Sequence, residues 1–366
     1  MKKDFFKNSI ILITGGSGSW GNELTDQLLA KCNPKQIRIY SRGEHKQVEM
    51  KRKFQDDKIK YYIGDVRDKD RLRIAMNEVD YVFHLAALKH VPVCEENPWE
   101  AVQTNIIGTQ NIIEAAIENK VKKVVDVSTD KAVDPFNLYG ATKACGEKLI
   151  VAANLIDATR FVCIRGGNVI GTNGSVIPLF KEQLHKLNEI TITDERMSRF
   201  LMRVEEAIIL VLRAAIDSVG GEVFVMRMPA CKITNLAKVM IDKLGNKNSK
   251  IKNIGIRPGE KLFEVLVSKY EMPRTFEMDN YFVILPQIKI KETEKFYKDK
   301  LNLKINLEEF NSNNTRMLSQ KEIESLLEKD GWLNPDYKNE VTSYLRSLSK
   351  RDLEKFFITE GWVKNK

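Results

Sequence analysis

Short apolar runs alternate with longer stretches of helical periodicity along the first half of the chain. Ser9–Thr14, Ile37–Ser41, Ile59–Ile63, Tyr81–Leu85, Lys123–Ser128 and Phe161–Ile164 read as strands. Between them, apolar spacing predicts helices through Leu24, Leu28 and Leu29, near Leu72–Met76, from Pro98 to about Asn119, and from Leu138 to Asn154. Strand–helix alternation of this kind predicts an α/β fold with a Rossmann-type doubly wound parallel sheet. Beyond about Arg160 the regularity loosens. Helices around Leu179–Leu187 and Val204–Ile216 stand among loops, and helical periodicity returns in Lys321–Leu327 and Val341–Phe357. Three segments are expected: residues 1–165 as the dinucleotide-binding domain, 166–287 as a smaller substrate-binding lobe, and 288–366 as a helical extension, with some later segments returning to the first.

A chain of 366 residues suits two packed units. With 43% hydrophobic and 30% charged residues it has the composition of an ordinary soluble protein. No apolar run reaches the roughly 20 residues that cross a bilayer, and Ile10–Ile13 reads as a strand, not a signal segment. Five widely spaced cysteines without a C-x-x-C pair indicate free thiols in a reducing cytoplasm. The net charge of +9 comes from cations interleaved with acids, which argues against nucleic acid and for a few cations facing an anionic small molecule. Four histidines lack metal-ligand spacing, so no metal is expected.

The strand Ser9–Thr14 runs directly into Gly15-Gly16-Ser17-Gly18-Ser19-Trp20-Gly21 and then a helix. Gly15, Gly18 and Gly21 permit a tight turn, close approach of backbone to a pyrophosphate, and close helix packing. Ser19 and Trp20 belong to the same loop. The second strand ends in Ser41-Arg42, with Lys46 a turn later, where an NAD site would carry an acid. A hydroxyl and two cations favour NADP, although Glu44 keeps NAD open. Asp65 is placed to accept from the adenine amino group beside Val66, and Ala86 and Ala87 let a cofactor pass. Asn105 either braces the site strand or is purely structural.

The stretch Val124–Lys143 carries the chemistry. Tyr139 and Lys143 are four apart on one helix face. Tyr139 is read as the base for a substrate hydroxyl during hydride removal, with Lys143 favouring the phenolate and binding the cofactor ribose. Oxidation makes the neighbouring C–H acidic, so Lys131 can remove that proton, Asp130 can protonate a β-hydroxyl leaving group, and Thr129 can donate to the carbonyl oxygen. Hydride return to the unsaturated product leaves the cofactor bound and recycled. The Asp130–Lys131 pair rests as an ion pair, and bound substrate pushes it towards the neutral tautomer as one coupled titration.

Thr14-Gly15-x-x-Gly18-x-x-Gly21, Ser128-Thr129-Asp130-Lys131 and Tyr139-Gly140-Ala141-Thr142-Lys143 resemble the extended short-chain dehydrogenase/reductases, specifically the UDP-N-acetylglucosamine 4,6-dehydratases. The likeness continues through Ala86-Ala87-Leu88-Lys89-His90-Val91-Pro92, Gly167-Asn168-Val169, Met197-Ser198-Arg199-Phe200 and Arg257-Pro258-Gly259-Glu260-Lys261. It implies a cytoplasmic lyase acting on UDP-N-acetylglucosamine. Lys89, Asn168, Ser175, Val176, Arg199, Arg257 and Glu260 are then expected at the substrate, with the two arginines near its diphosphate. Where the family usually has Arg-Tyr-Gly-Asn-Val, this chain has Arg165-Gly166-Gly167-Asn168-Val169. That loop, with Ser19-Trp20-Gly21, is more similar to the members that retain configuration at C5; inversion stays open. A homo-oligomer is expected, and the tail is read as covering the site, packing on a neighbouring subunit, or inert. An epimerase or simple reductase, and an NADP-binding sensor or scaffold, are the competing readings.

Overall fold

All five residues of β1 (Ile10–Thr14) are buried, as in a parallel strand covered on both faces. It leads into α1 (Ser19–Cys32), β2 (Gln36–Ser41), α2 (Glu44–Phe54), β3 (Ile59–Ile63), α3 (Lys69–Ala75) and β4 (Tyr81–His84). The helix expected from Pro98 onwards is interrupted. After α4 (Val91–Glu96) come α5 (Pro98–Val102), a π-helical turn at Gln103–Ile107 and α6 (Gly108–Glu118). β5 (Lys123–Thr129) ends in a 3-10 turn, Asp130–Ala132, followed by α7 (Leu138–Ala152) and β6 (Arg160–Gly166).

The chain continues through α8 (Val176–Leu187), β7 (Glu189–Ile192), β8 (Ser198–Phe200), α9 (Val204–Asp217), β9 (Val223–Met226), β10 (Ala230–Lys232) and α10 (Ile233–Leu244). β11 (Lys250–Asn253), β12 (Val265–Val267), β13 (Thr275–Met278), β14 (Tyr281–Ile284), α11 (Lys291–Tyr297), β15 (Phe310–Asn311) and α12 (Gln320–Lys329) complete it. This computed structural model describes residues 4–156, 159–170, 175–256, 260–279, 281–298 and 305–334. The expected helix Val341–Phe357 lies outside them.

Two units divide the chain. The first comprises Met1–Gly166, Glu205–Arg227 and Leu266–Glu309. Among the described residues it holds a nine-stranded sheet in the order β13-β14-β9-β6-β5-β4-β1-β2-β3. The pairings from β3 across to β9 are parallel, whereas β14 and β13 add antiparallel. This is the Rossmann-like sheet with the site loops after β1 to β5 at its carboxyl edge. The units cut across three consecutive segments. β9 is an all-buried Val-Phe-Val-Met run that pairs with β6, and β14, equally buried, pairs with β9, so both return to the sheet. Each is only four residues long, too short for periodicity to separate it from its surroundings.

The second unit comprises Gly167–Val204, Met228–Val265 and Phe310–Lys366. Its core gathers Phe180, Leu184, Ile190, Ile192, Leu236 and Met240 with Ile323, Leu327 and Trp332. Residues 310–334 therefore contribute core to this unit. α12 starts at a capping box of Ser319 and Glu322, which satisfies two backbone N–H groups at once. Among the described residues no helix is long and apolar enough to cross a membrane.

Candidate active site

The site is built on the carboxyl ends of β1 to β5. Gly15 has φ +66, and a Cβ there would meet the Ala86 backbone nitrogen at 2.9 Å. The turn therefore requires glycine, and it brings the loop after β1 against Leu85 and Ala86 at the end of β4. Gly18 is the N-cap of α1 in extended conformation with no side-chain cap, so the first N–H groups of the helix face outward from a bare backbone. That cradle fits a pyrophosphate.

At the end of β2, Ser41 Oγ accepts from Ser17 Oγ at 2.9 Å and from Gln47 Nε2 at 2.9 Å. With two donors already on its oxygen, its own proton is left to donate outward. Arg42 is exposed beside it and Lys46 half-buried. Asp65 is held by Arg67 through the backbone N–H (3.0 Å) and through Nη2 (2.7 Å), with Arg42 at 3.9 Å. Burial works against the Asp65 carboxylate, but Arg67 and Arg42 hold its pKa below the ordinary value. Val66 packs beneath, its Cγ2 2.7 Å from where a Cβ on Gly108 would lie.

Asn105 sits in the π-helical turn and is 1% exposed. Its amide accepts from Leu88 N at 2.8 Å and donates to Leu88 O at 2.9 Å and Thr142 Oγ1 at 3.0 Å. A side chain so engaged fixes the Ala86–Leu88 loop to α7. Behind it, Thr109 donates to Asn105 O, so His84 Nε2 must donate to Thr109 and His84 Nδ1 accept from Thr14. Burial pushes the His84 pKa down to about 4, which keeps this ring neutral.

α7 is capped by Asn137, whose side chain accepts from Gly140 N. A Cβ on Gly140 would come within 2.2 Å of Lys131 O. The bare backbone at that position lets the Asp130–Ala132 turn lie against the helix, beside Tyr139. Thr129 Oγ1 donates to Asp130 Oδ1 at 2.7 Å, and Lys131 Nζ stands 3.2 Å from the same oxygen. Asp130 is 2% exposed. The Thr129 hydroxyl also lies beside the Tyr139 phenol. Burial raises the Tyr139 pKa, opposed by the Lys143 and Lys131 ammonium groups and by Thr129. Lys89 faces the same cluster: desolvation and the charge of Lys131 both push its pKa down.

Lys143 is buried, with Nζ 3.4 Å from both oxygens of Asp126 on β5. Burial works against its ammonium, yet Asp126, Tyr139, Cys163 and Glu147 together raise its pKa. Asp126 is a site residue that the sequence reading missed. An acid inside the apolar run Val124–Val127 was the available signal, since a buried carboxylate needs a partner. Replacing Asp126 by Asn removes the counter-charge. Lys143 then loses its proton more readily, and activity is expected to fall at alkaline pH, where that of the unmodified protein rises, as a kcat–pH profile would record.

One turn beyond Lys143, Glu147 accepts from Arg165 Nε (3.0 Å) and Nη2 (2.7 Å), and Arg165 also bonds Glu271 and Leu266 O. This trio, of which Glu147 and Arg165 are buried, fastens α7 to β6. Burial opposes the Glu271 carboxylate, but Arg165 and Ser268 N hold its pKa down at about 2. Its stabilisation is present above the ordinary value of 4.5 and is lost as pH falls towards 2. Arg165→Met, which leaves the buried Glu147 carboxylate without this partner and Glu271 with only Arg274 and Ser268, is expected to cost about 3–5 kcal/mol, read as a lowered melting temperature.

The sequence pattern of the family described as polysaccharide biosynthesis protein matches residues 11–286. The chain belongs to this family. Among its relatives, UDP-N-acetylglucosamine 4,6-dehydratase (inverting) of Campylobacter jejuni is 48% identical over 293 residues, covering 79% of this chain and 86% of the relative. UDP-glucose 4-epimerase of Rickettsia bellii is 43% identical over 341 residues, covering 92% and 98%. The X-ray structure of Pen from Bacillus thuringiensis matches with a TM-score of 0.82 at 40% identity, covering 90% of this chain and all of that one.

In this member of the polysaccharide biosynthesis family the remaining expected residues belong to the second unit. Asn168 Oδ1 and Ser175 Oγ are buried without a hydrogen-bond partner among the described residues. Ser175 is the N-cap of α8, whose first residue is Val176, and its side chain makes no cap bond. The Ser175 hydroxyl and the open helix N–H groups suit an anionic ligand, and Asn168 Oδ1 suits an N–H or O–H donor of that ligand. Arg199 is differently disposed. Its guanidinium donates to Ser198 O, Leu262 O and Lys261 O and pairs with Glu264 at 3.3 Å and Glu260 at 3.8 Å. Its donors brace the 260–264 segment instead of standing open for a diphosphate. Arg257 lies outside the described residues.

Proposed function

We propose that this protein is a UDP-N-acetylglucosamine 4,6-dehydratase that forms a UDP-4-keto-6-deoxy sugar for surface glycan synthesis. The observation that carries this reading is the Asp130–Lys131 pair joined through Thr129 to Tyr139. An acid, a base and a hydride-step base are within reach of one sugar ring. When bound, the dinucleotide supplies a reversible hydride acceptor. Tyr139 takes the C4 hydroxyl proton, Lys143 supports the phenolate by its charge, and Lys131 takes the C5 proton made acidic by the new carbonyl. Asp130 protonates the departing O6, so water leaves. Return of the hydride at C6 and of a proton at C5 completes the product.

NADP is the proposed cofactor. Support comes from Ser41, whose hydroxyl is left as a donor by Ser17 and Gln47; a 2′-phosphate is an acceptor, as an acidic side chain in that position would not tolerate. Acid extraction of the purified protein should release NADP; release of NAD would overturn this part. A homo-oligomer is also proposed, supported by exposed Trp99 and Ile107 on the α5–α6 segment, and light scattering tests it.

Retention at C5 is supported by the Arg165-Gly166-Gly167-Asn168 loop. Gly166 stands where the family usually has an aromatic residue, and Met226 Sδ lies 3.1 Å from where its Cβ would be. Inversion is favoured by the name of the Campylobacter relative. Reaction with UDP-N-acetylglucosamine in D2O, with UDP-glucose and TDP-glucose as controls, tests both levels. NMR should reveal a 4-keto-6-deoxy product with deuterium at C5, and its configuration decides between retention and inversion. Absence of that product from all three substrates would reject the dehydratase reading. The Rickettsia relatives favour a second reading, a 4-epimerase, in which Lys131 has no role.

A further inference from the structure

One proton is misplaced at the end of the proposed cycle. The cycle starts with Tyr139 as phenolate and Asp130 as acid. Tyr139 gains the C4 hydroxyl proton, Asp130 gives its own to the departing O6, and C5 loses one proton and regains one. Tyr139 therefore ends protonated and Asp130 ionised, the reverse of what the next substrate needs. Both groups are buried, Asp130 at 2% and Tyr139 at 8% exposure, so direct exchange of either with bulk water is hindered.

Thr129 stands between them. Its hydroxyl lies beside the Tyr139 phenol and donates to Asp130 Oδ1 at 2.7 Å, while the Lys131 backbone N–H approaches Thr129 Oγ1 at 3.4 Å. We propose that the Thr129 hydroxyl is the proton relay that resets the site between turnovers, passing the Tyr139 proton to Asp130. The Tyr139 O–H bond breaks as a new O–H bond forms on Thr129, and the original Thr129 proton moves to Asp130 Oδ1. One proton is transferred, no electrons leave, and Thr129 ends as a hydroxyl. The chain of hydrogen bonds then runs in the opposite sense, from Asp130 acid through Thr129 to the Tyr139 phenolate, which is the reactive form. The competing route is Lys131 Nζ, 26% exposed and 3.2 Å from Asp130, carrying a proton in from solvent.

This inference rests on the dehydratase reading, and rapid-quench kinetics separate the two. Full-length protein with its bound dinucleotide is equilibrated in buffer, mixed with UDP-N-acetylglucosamine, and sampled through the first and later turnovers. Wild type and Thr129→Ser, which keeps the hydroxyl, should show similar rates in both phases. In Thr129→Val the first turnover slows through loss of the hydroxyl's contacts with the substrate oxygen, Asp130 and Tyr139, whereas later turnovers should fall about 10²-fold further. Added imidazole should restore the later turnovers and not the first. In wild type, rates in H2O–D2O mixtures should bow as expected for two protons in flight, a readout that needs no variant. Equal slowing of both phases in Thr129→Val, no slowing at all, or a linear wild-type isotope dependence overturns the relay while leaving the dehydratase reading intact. A wild type that makes no 4-keto product overturns both.

Discussion

Lys131→Ala is expected to lower dehydration by roughly 10²–10⁴-fold, the range for removal of a positioned general base. Lys131 Nζ is the nitrogen that faces Asp130 at 3.2 Å, and it is a quarter exposed, so substrate can reach it. Without it, C4 of the bound sugar can still be oxidised, because Tyr139 and Lys143 are untouched. The expected signature is specific: absorbance of reduced dinucleotide rises to at most one equivalent per site and persists, while recovered sugar gains no deuterium at C5 in D2O. The buried Asp130 keeps its bond from Thr129, so the fold should survive, and circular dichroism checks that. Unchanged turnover would leave the fold and the hydride site standing and remove the elimination.

Tyr139→Phe is expected to act earlier in the cycle and by a comparable factor, again about 10²–10⁴-fold. No reduced dinucleotide should appear, since the C4 hydroxyl then keeps its proton. Wild-type activity should also rise with pH on the alkaline side of neutrality. Burial raises the Tyr139 pKa against the pull of Lys143, Lys131 and Thr129, and the phenolate, the active base, gains population only as pH climbs. A profile that falls through the same range would contradict the assignment of Tyr139 as base.

Much of this site was legible in the sequence because its parts are local. Thr129, Asp130 and Lys131 are adjacent, Tyr139 and Lys143 share a helix face, and the turn at Gly15 follows its strand directly. Helical and strand periods translate such spacing into geometry. What stayed hidden depends on partners distant along the chain. Arg165 meets Glu147 and Glu271, which are 18 and 106 residues away, and no period connects them. Asp126 pairs with Lys143 across a strand–helix interface. Gln47 reaches back to Ser41 and across to Tyr62 O, so its bearing on the ribose site appears only once β2 and β3 are paired. The return of β9 and β14 to the first unit likewise follows from sheet edges needing partners, a demand visible only in three dimensions. Arg199 reads as an open cation beside a helix start, yet the second unit engages it with Glu264 and three carbonyls.

The central claim is that hydrogen leaves C4 of the sugar and arrives at C6 of the same molecule. UDP-N-acetylglucosamine carrying deuterium at C4 tests it directly. The account predicts a 4-keto product with the deuterium in its C6 methyl group and none released to water. Deuterium that stays at C4 of an epimerised sugar, or that remains on the dinucleotide without a deoxygenated product, would contradict it.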